Sequence, residues 1–277
     1  MKITALVENT APSNDLIKRH GLSIYVETTR HKLLFDLGPD DTFLRNAESL
    51  GINIAEVDIV IISHGHADHG GGLPYFLEHN SKAQIYIHRD AFEPHYTKML
   101  ITRHNIGLEK TLAENERITL VGNEYLIDAE LILFANVGGR HMLPQGNKTL
   151  LVKHDGKLVR DRFHHEMNLL VSDSGIVALF TGCSHNGITN ILTAARRFYS
   201  QFDYVVGGFH MYNPTRLKTE PRERIVRVAS ELKHYRALFY TCHCTGAKAF
   251  DILREHLGEQ IEYFSTGASA ELTRRIG

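Results

Sequence analysis

Residues 64–69 run His64-Gly65-His66-Ala67-Asp68-His69, three imidazoles and one carboxylate in the order HxHxDH. They follow, after Ser63, on the apolar run Val57-Asp58-Ile59-Val60-Ile61-Ile62. A strand ending there turns His64 and His66 toward one ion, and past the bend Asp68 and His69 face a second position beside it. Imidazole and carboxylate suit zinc, iron or manganese, and thiolate is not needed. Gly70-Gly71-Gly72 comes next, which lets the backbone turn sharply and start a helix close to the ions. These types at this spacing predict a metal site in one loop for one or two divalent ions, zinc being the default, rather than a histidine-rich surface loop.

Three more strand ends carry chemistry. The run 176–181 leads into Gly182-Cys183-Ser184-His185-Asn186-Gly187, a thiol and an imidazole at a strand-to-helix corner. His185 reads as a metal ligand against the alternative of a helix cap or core histidine. Cys183 ligates, bridges ions, or is a small buried hydrophobe. Tyr204-Val205-Val206 reaches Gly207-Gly208-Phe209-His210, and His210 is a substrate-side acid or base, or a ligand. Ala237–Thr241 runs into Cys242-His243-Cys244-Thr245-Gly246. There His243 reaches the ions, and Thr245-Gly246, opening a helix, offers backbone N–H groups to a phosphate.

The elements that must position these residues follow from periodicity. Strands are expected over 1–8, Leu22–Glu27 and Lys32–Phe35, then a helix over Asp41–Leu50 stopped by Gly51. Strand 57–63 delivers the metal loop, with helix 73–79 and strand Gln84–His88 behind it. The polar stretch Arg89–Asn115 fits no element and reads as a lid or insertion. Strands return at Arg117–Val121, Glu124–Ile127 and Leu131–Ala135, followed by the Gly/Pro/Asn-rich loop Asn136–Lys148. Hairpins at Leu150–Arg160 and Asn168–Thr181 come next. Helices over Ile188–Phe198, Arg222–His234 and Ala247–Leu257 then alternate with strands Tyr204–Val206 and Ala237–Thr241. Strand runs followed by helices in both parts give an α+β/α/β class, a single domain with two similar halves (about 1–135 and 150–277) and a site at their seam.

Composition sets outer limits. The chain has 277 residues, 43% hydrophobic and 23% charged, with net charge −1, so no global field draws it toward nucleic acid or an anionic membrane. The locally basic stretch Pro214–Arg227 reads as a solvated helix start. No apolar run approaches the ~18 residues of a membrane span, and the first seven residues alternate like a strand rather than a secretory leader. A cytoplasmic protein is expected, its three cysteines, Cys183, Cys242 and Cys244, free thiols by default. Eighteen histidines, many at strand ends, favour ligands and acid–base groups.

The intact HxHxDH resembles the hallmark of the metallo-β-lactamase fold superfamily. His20-Gly21-Leu22-Ser23, Leu34-Phe35-Asp36-Leu37-Gly38, Asn46–Gly51, Thr181–His185, Gly207–His210 and Cys242–Gly246 resemble its dihydropterin synthase-like branch, named for a synthase that joins a pterin to ribofuranosylaminobenzene phosphate. The resemblance covers nearly the whole chain. It implies a four-layer αββα sandwich, a one- or two-metal centre at its edge with His64, His66, Asp68, His69, His185 and His243 as ligands, and usually hydrolysis. Many relatives carry a bridging Asp where this chain has Cys183, which argues against a symmetric bridged pair. His185 or His164 completes the first site, His185 being favoured, although the branch pattern in Phe163-His164-His165-Glu166 emphasises Glu166. Asp36 supports the metal loop as an acceptor behind the ligands.

The resemblance further implies ions that lower the pKa of bound water from ~15.7 to ~7 and supply hydroxide at neutral pH. Asp68 would orient that nucleophile, and His210 would donate a proton or bind phosphate. Three functions follow: a hydrolase of a small phosphoester, lactone or related ester; a transferase of the dihydropterin-ribofuranosylaminobenzene phosphate synthase type; and a non-catalytic or redox metal protein. The expected partner is a small, phosphorylated molecule. The fold alone does not choose among substrates.

Overall fold

In the strand Ile59–Ile62 every residue is buried, because both of its faces are covered. Ile59 and Ile61 point into one apolar core, and Val60 and Ile62 into another. Such a strand reads as a continuous apolar run, the signature of a sheet sandwiched between layers. In the computed structural model, which describes residues 1–275, this strand sits inside a seven-stranded sheet. The order there is Ser269–Glu271, Lys2–Val7, Ser23–Glu27, Lys32–Phe35, Ile59–Ile62, Gln84–His88, Ile118–Val121. A second seven-stranded sheet runs Ile261–Tyr263, Leu238–Thr241, Tyr204–Gly207, Ile176–Thr181, Asn168–Asp173, Leu131–Phe134, Glu124–Leu126.

Three apolar clusters make four layers. Between the sheets, Ile3, Ile24, Phe35 and Ile61 pack with Leu133, Leu169, Phe180 and Val206. Outside the first sheet lie helices Thr42–Ser49 and Leu73–His79, whose Phe43, Ala47, Leu73 and Phe76 cover Leu34, Val60 and Ile85. Outside the second lie Ile188–Ala195, Arg222–Leu232 and Ala247–Leu257, whose Ile191, Ile225 and Leu253 cover Leu179, Val205 and Phe239. The αββα sandwich expected from the sequence is therefore the fold. No described helix is long and apolar enough to cross a membrane.

The central strands of each sheet run parallel, so their C-terminal ends emerge together, where α/β folds gather ligands. His64 follows Ile59–Ile62, Cys183 and His185 follow Ile176–Thr181, His210 follows Tyr204–Gly207, and His243 follows Leu238–Thr241.

Two departures from the sequence expectation matter for the site. The stretch 89–115 is not structureless. Strands His95–Met99 and Thr102–Asn105 pair with Leu150–His154 and Lys157–Arg160 in a four-stranded antiparallel sheet. Thr102–Asn105 is wholly exposed, so it lacks the apolar alternation that announces a strand. The second departure concerns the sheets' make-up. Glu124–Leu126 and Leu131–Phe134 belong to the second sheet, and Ser269–Glu271 closes the first. The boundary between the sheets thus does not coincide with a division of the chain at 135–150.

Candidate metal centre

The site is built by fixing which nitrogen of each imidazole faces inward. Ser63 Oγ donates its single hydrogen to Asp36 Oδ2 at 2.7 Å, so it must accept from His64 Nδ1–H at 2.9 Å, which leaves the His64 Nε2 lone pair free. His69 Nδ1 donates to Asp36 Oδ2 at 2.6 Å. His185 Nδ1 donates to Asn147 Oδ1 at 3.0 Å, while Asn147 Nδ2 donates to the His185 carbonyl at 2.7 Å. Asn9 treats His243 the same way, accepting from Nδ1 at 2.9 Å and donating to its carbonyl at 3.1 Å. Four imidazoles are thus clamped with Nδ1–H outward and Nε2 inward, the arrangement by which metal-binding histidines are oriented.

The inward atoms converge in two groups. His64, Cys183 and His185 bring one ligand atom each to within 4.8 Å of one another, and so do His69, Cys183 and His243. His66 Nδ1 lies 3.0 Å from His64 Nε2, His69 Nε2 lies 3.2 Å from Cys183 Sγ, and Asp68 Oδ2 lies 3.4 Å from His243 Nε2. His185 Nε2 and His243 Nε2 are buried without a hydrogen-bond partner, a cost of about 1–3 kcal/mol each unless something else takes the lone pair. Imidazole, carboxylate and thiolate around two points fit divalent cations such as zinc. Cys183 belongs to both groups, where a shared ligand would stand.

Burial and neighbouring imidazoles hold His64 well below the usual histidine range; burial does the same for His185, with His210 and His66 adding to it. Burial also lowers His66, against the pull of Asp68. All three are neutral and able to ligate. Burial alone would lower His69 too, but the carboxylates of Asp36 and Asp68 outweigh it and push it up to about 9. Asp68 is held well below the carboxylate range, since His69, His20 and His243 outweigh its burial.

The metal-free protein at pH 7 therefore carries a proton on His69 that a metal must displace. Loading zinc at that pH is expected to release this proton together with that of each thiol that ligates, at least about one in all, read by calorimetry in two buffers of different ionisation enthalpy. No release would contradict the assignment. Because the folded-state value lies above the ordinary 6.5, this proton stabilises the metal-free fold fully below pH 6.5. That contribution is lost as pH rises through about 9.

Asp36, with φ of 63°, accepts from Ser63 N at 2.7 Å as well as from Ser63 Oγ and His69. His210 is buried against His185, ring centroids 4.2 Å apart. His164 is not brought to the cluster: its side chain is exposed, and its neighbour His165 turns inward to accept from Gly65 N at 3.0 Å. Gly65 itself has no room for a side chain, since a Cβ would lie 2.2 Å from Ala91 O.

Thr245 and Gly246 are not the anion cradle expected of them. Their N–H groups bond to the carbonyls of Cys242 and His243 inside a 3₁₀ turn. The Thr245 hydroxyl is buried between Phe209 N and Thr241 Oγ1.

Several residues escaped sequence reasoning. Asn9 and Asn147 clamp His243 and His185 across 234 and 38 positions. Glu166, pushed up to about 7 by burial against the N–H bonds of His185 and Asn186, accepts from both of those backbones. Glu8 accepts from His243 N at 2.6 Å. His20 reaches Asp68 Oδ2 at 3.3 Å and packs on His243 at 4.8 Å. The stretches holding His20 and Glu166 did carry a signal, through the branch motifs.

The donor groups open into a cavity of about 520 Å³, where Asp68, His185, His210 and His243 meet Thr97, Met99, Ile106 and Leu150. The inserted four-stranded sheet thus supplies part of the wall. A substrate there would have one face on the donors and another on apolar side chains.

Comparison with known proteins agrees with this architecture. The family model described as Metallo-beta-lactamase superfamily matches residues 16–210, and the chain belongs to that superfamily, whose members bind divalent metals. It is 28% identical over 288 residues to the 7,8-dihydropterin-6-methyl-4-(beta-D-ribofuranosyl)-aminobenzene-5'-phosphate synthase of Methanocaldococcus jannaschii, covering 96% of this chain and 95% of that protein. An uncharacterized protein of the same organism is 29% identical over 254 residues, 91% of this chain and 94% of its own length. The crystal structure of Tm1679, described as a metal-dependent hydrolase of the beta-lactamase superfamily, superposes with a TM-score of 0.83 at 28% identity, covering 99% of this chain and all of that one.

Proposed function

We propose that the protein is a metal-dependent hydrolase of a small phosphoester, lactone or related ester. The first ion would be held by His64, His66 and His185, the second by Asp68, His69 and His243, with Cys183 between them. The observation that carries this reading is the set of four clamped imidazoles turning their Nε2 atoms toward one buried thiol on the floor of the cavity. A divalent cation bound there acidifies coordinated water and polarises a substrate oxygen. Zinc is the default occupant, manganese and iron being compatible with the same donors.

Asp68, anchored by His20, orients the nucleophile. His210, with its unpartnered Nδ1, holds the proton that the leaving group receives. Met99, Ile106, Leu150 and Pro214 exclude water from the body of the substrate, and Asn105 and Asn213 offer amides to it. A phosphorylated substrate is supported by a second cavity of about 790 Å³, which shares His185 with the first. It is lined by Arg140, Lys148, Arg160, Arg162 and Arg224, and its one carboxylate, Asp161, is already engaged by His95 and His165. The likeness to the dihydropterin synthase over 96% of the chain favours a second reading, a transferase on pterin-like substrates using the same donors.

Metal content of protein purified without added metal, with phosphodiester, phosphomonoester and lactone turnover before and after chelation, tests the proposal. Bound metal with turnover lost to the chelator and restored by zinc or manganese is expected. Bound metal with no hydrolysis but with pterin transfer would favour the second reading, and failure to take up any metal would sink both.

A further inference from the structure

Cys183 serves two donor groups, and a third lies beside it. Cys183, His210 and Cys244 also bring one ligand atom each to within 4.8 Å of one another, and all three are buried. All three line the 520 Å³ cavity. Each has a feature beyond proximity. His210 is only 8% exposed and its Nδ1 has no hydrogen-bond partner. Its Nε2 faces Gly146 instead, where a Cβ would lie 2.8 Å away. Its backbone is held at a φ of 47°, a conformation that costs a non-glycine residue energy and clusters at functional sites.

Cys244 Sγ accepts the backbone N–H of His210 at 3.3 Å, the kind of bond that supports a metal thiolate. Its own S–H points at the Cys183 carbonyl, 3.4 Å away, a weak bond for a thiol to give up. Gly208 seats this sulfur, because a Cβ there would lie 2.4 Å from Cys244 Sγ.

We propose that Cys183, His210 and Cys244 form a third metal position, a Cys₂His set open to the cavity, that takes a thiophilic divalent cation such as zinc or cadmium. Two thiolates and one imidazole with a free side is a donor set that zinc uses. Sulfur selects against manganese and magnesium, whereas the other two groups are dominated by nitrogen and carboxylate. On binding, each thiol passes its proton to solvent as its metal–sulfur bond forms. Filling this position takes the free nitrogen of His210 and draws Cys183 from the groups it shares. An excess of thiophilic ion would then oppose the hydrolysis proposed above; that consequence rests on the hydrolase reading, and the site itself does not.

The test uses the full chain, stripped with a chelator and titrated with cadmium. Thiolate-to-cadmium charge-transfer absorbance and elemental analysis are read on wild type, Cys244→Ser and Cys242→Ser. Cys242 is the control, since it belongs to the core between the sheets. In Cys244→Ser the absorbance is expected to fall by about half with loss of about one ion per chain. Cys242→Ser should behave as wild type, and manganese should give no such band. Wild-type absorbance and ion count in Cys244→Ser would overturn the proposal. If that variant does not fold, alkylation mapping of wild type decides: cadmium should shield Cys183 and Cys244 alike, and shielding of Cys183 alone overturns it. Wild type that takes up no cadmium, whether or not zinc was loaded first, would remove the third position together with the metal centre.

Discussion

His64→Ala is expected to empty the first metal position and lower turnover at least about 10³-fold, while costing the fold only about 1–3 kcal/mol. His64 is fully buried, and its Nε2 faces His66 and the Cys183–His185 pair. Alanine removes one donor from a group that has few, and the remaining imidazoles cannot move in, because Asn147 ties His185 to its own backbone. The stability cost is smaller because the lost bond to Ser63 Oγ leaves that hydroxyl still donating to Asp36. His185→Ala should behave like His64→Ala. His164→Ala should retain full metal content, because that side chain is exposed and outside the donor groups. Metal stoichiometry and turnover of the three variants decide the matter, and loss of metal from His164→Ala with retention in His185→Ala would reverse the assignment.

That His164 and His185 compete at the level of sequence shows where such reasoning stops. The loop 64–69 is legible because its donors are contiguous and the strand before it is apolar on both faces. His185 and His243 are legible for a related reason: an imidazole that ends an apolar strand sits at the C-terminal edge of a parallel sheet. Asn9 and Asn147 decide which nitrogen each of those histidines presents, yet Asn9 lies in an irregular segment and Asn147 in a short 3₁₀ turn, and both meet their partners only after folding. An asparagine in a loop has many local uses, and nothing periodic marks these two. The Thr245-Gly246 expectation failed on a local detail. The chain closes a 3₁₀ turn before the helix begins, and the turn consumes the N–H groups. The wall supplied by His95–Met99 was hidden differently, since its pairing with Leu150–His154 joins strands some 50 residues apart, and no turn signal links them.

Asp36→Asn tests the clamp itself, and a large effect is expected from replacing one oxygen by an amide. Asp36 is fully buried and accepts three hydrogen bonds, from Ser63 N, Ser63 Oγ and His69 Nδ1. Asparagine has nearly the same shape but only one acceptor oxygen. If Oδ1 keeps the Ser63 backbone, the amide nitrogen points at His69 Nδ1–H, donor against donor, and the Ser63 hydroxyl must turn from donating to accepting. The imidazole can escape by moving its proton to Nε2, the atom that must be bare to ligate. Metal affinity at the second position is therefore expected to fall about 10–100-fold, the range seen when a ligand histidine loses its supporting carboxylate. The lost bonds should cost about 1–3 kcal/mol of stability. The proton count should change with them. Asp36 is the largest of the influences raising His69, so in the variant that imidazole holds its proton less tightly, and zinc loading at pH 7 should release fewer protons than in wild type. Competition titration against a chromophoric chelator, urea denaturation and two-buffer calorimetry read the three consequences separately. Lower stability with unchanged affinity and proton release would mean that Asp36 braces the strand end without setting the His69 tautomer.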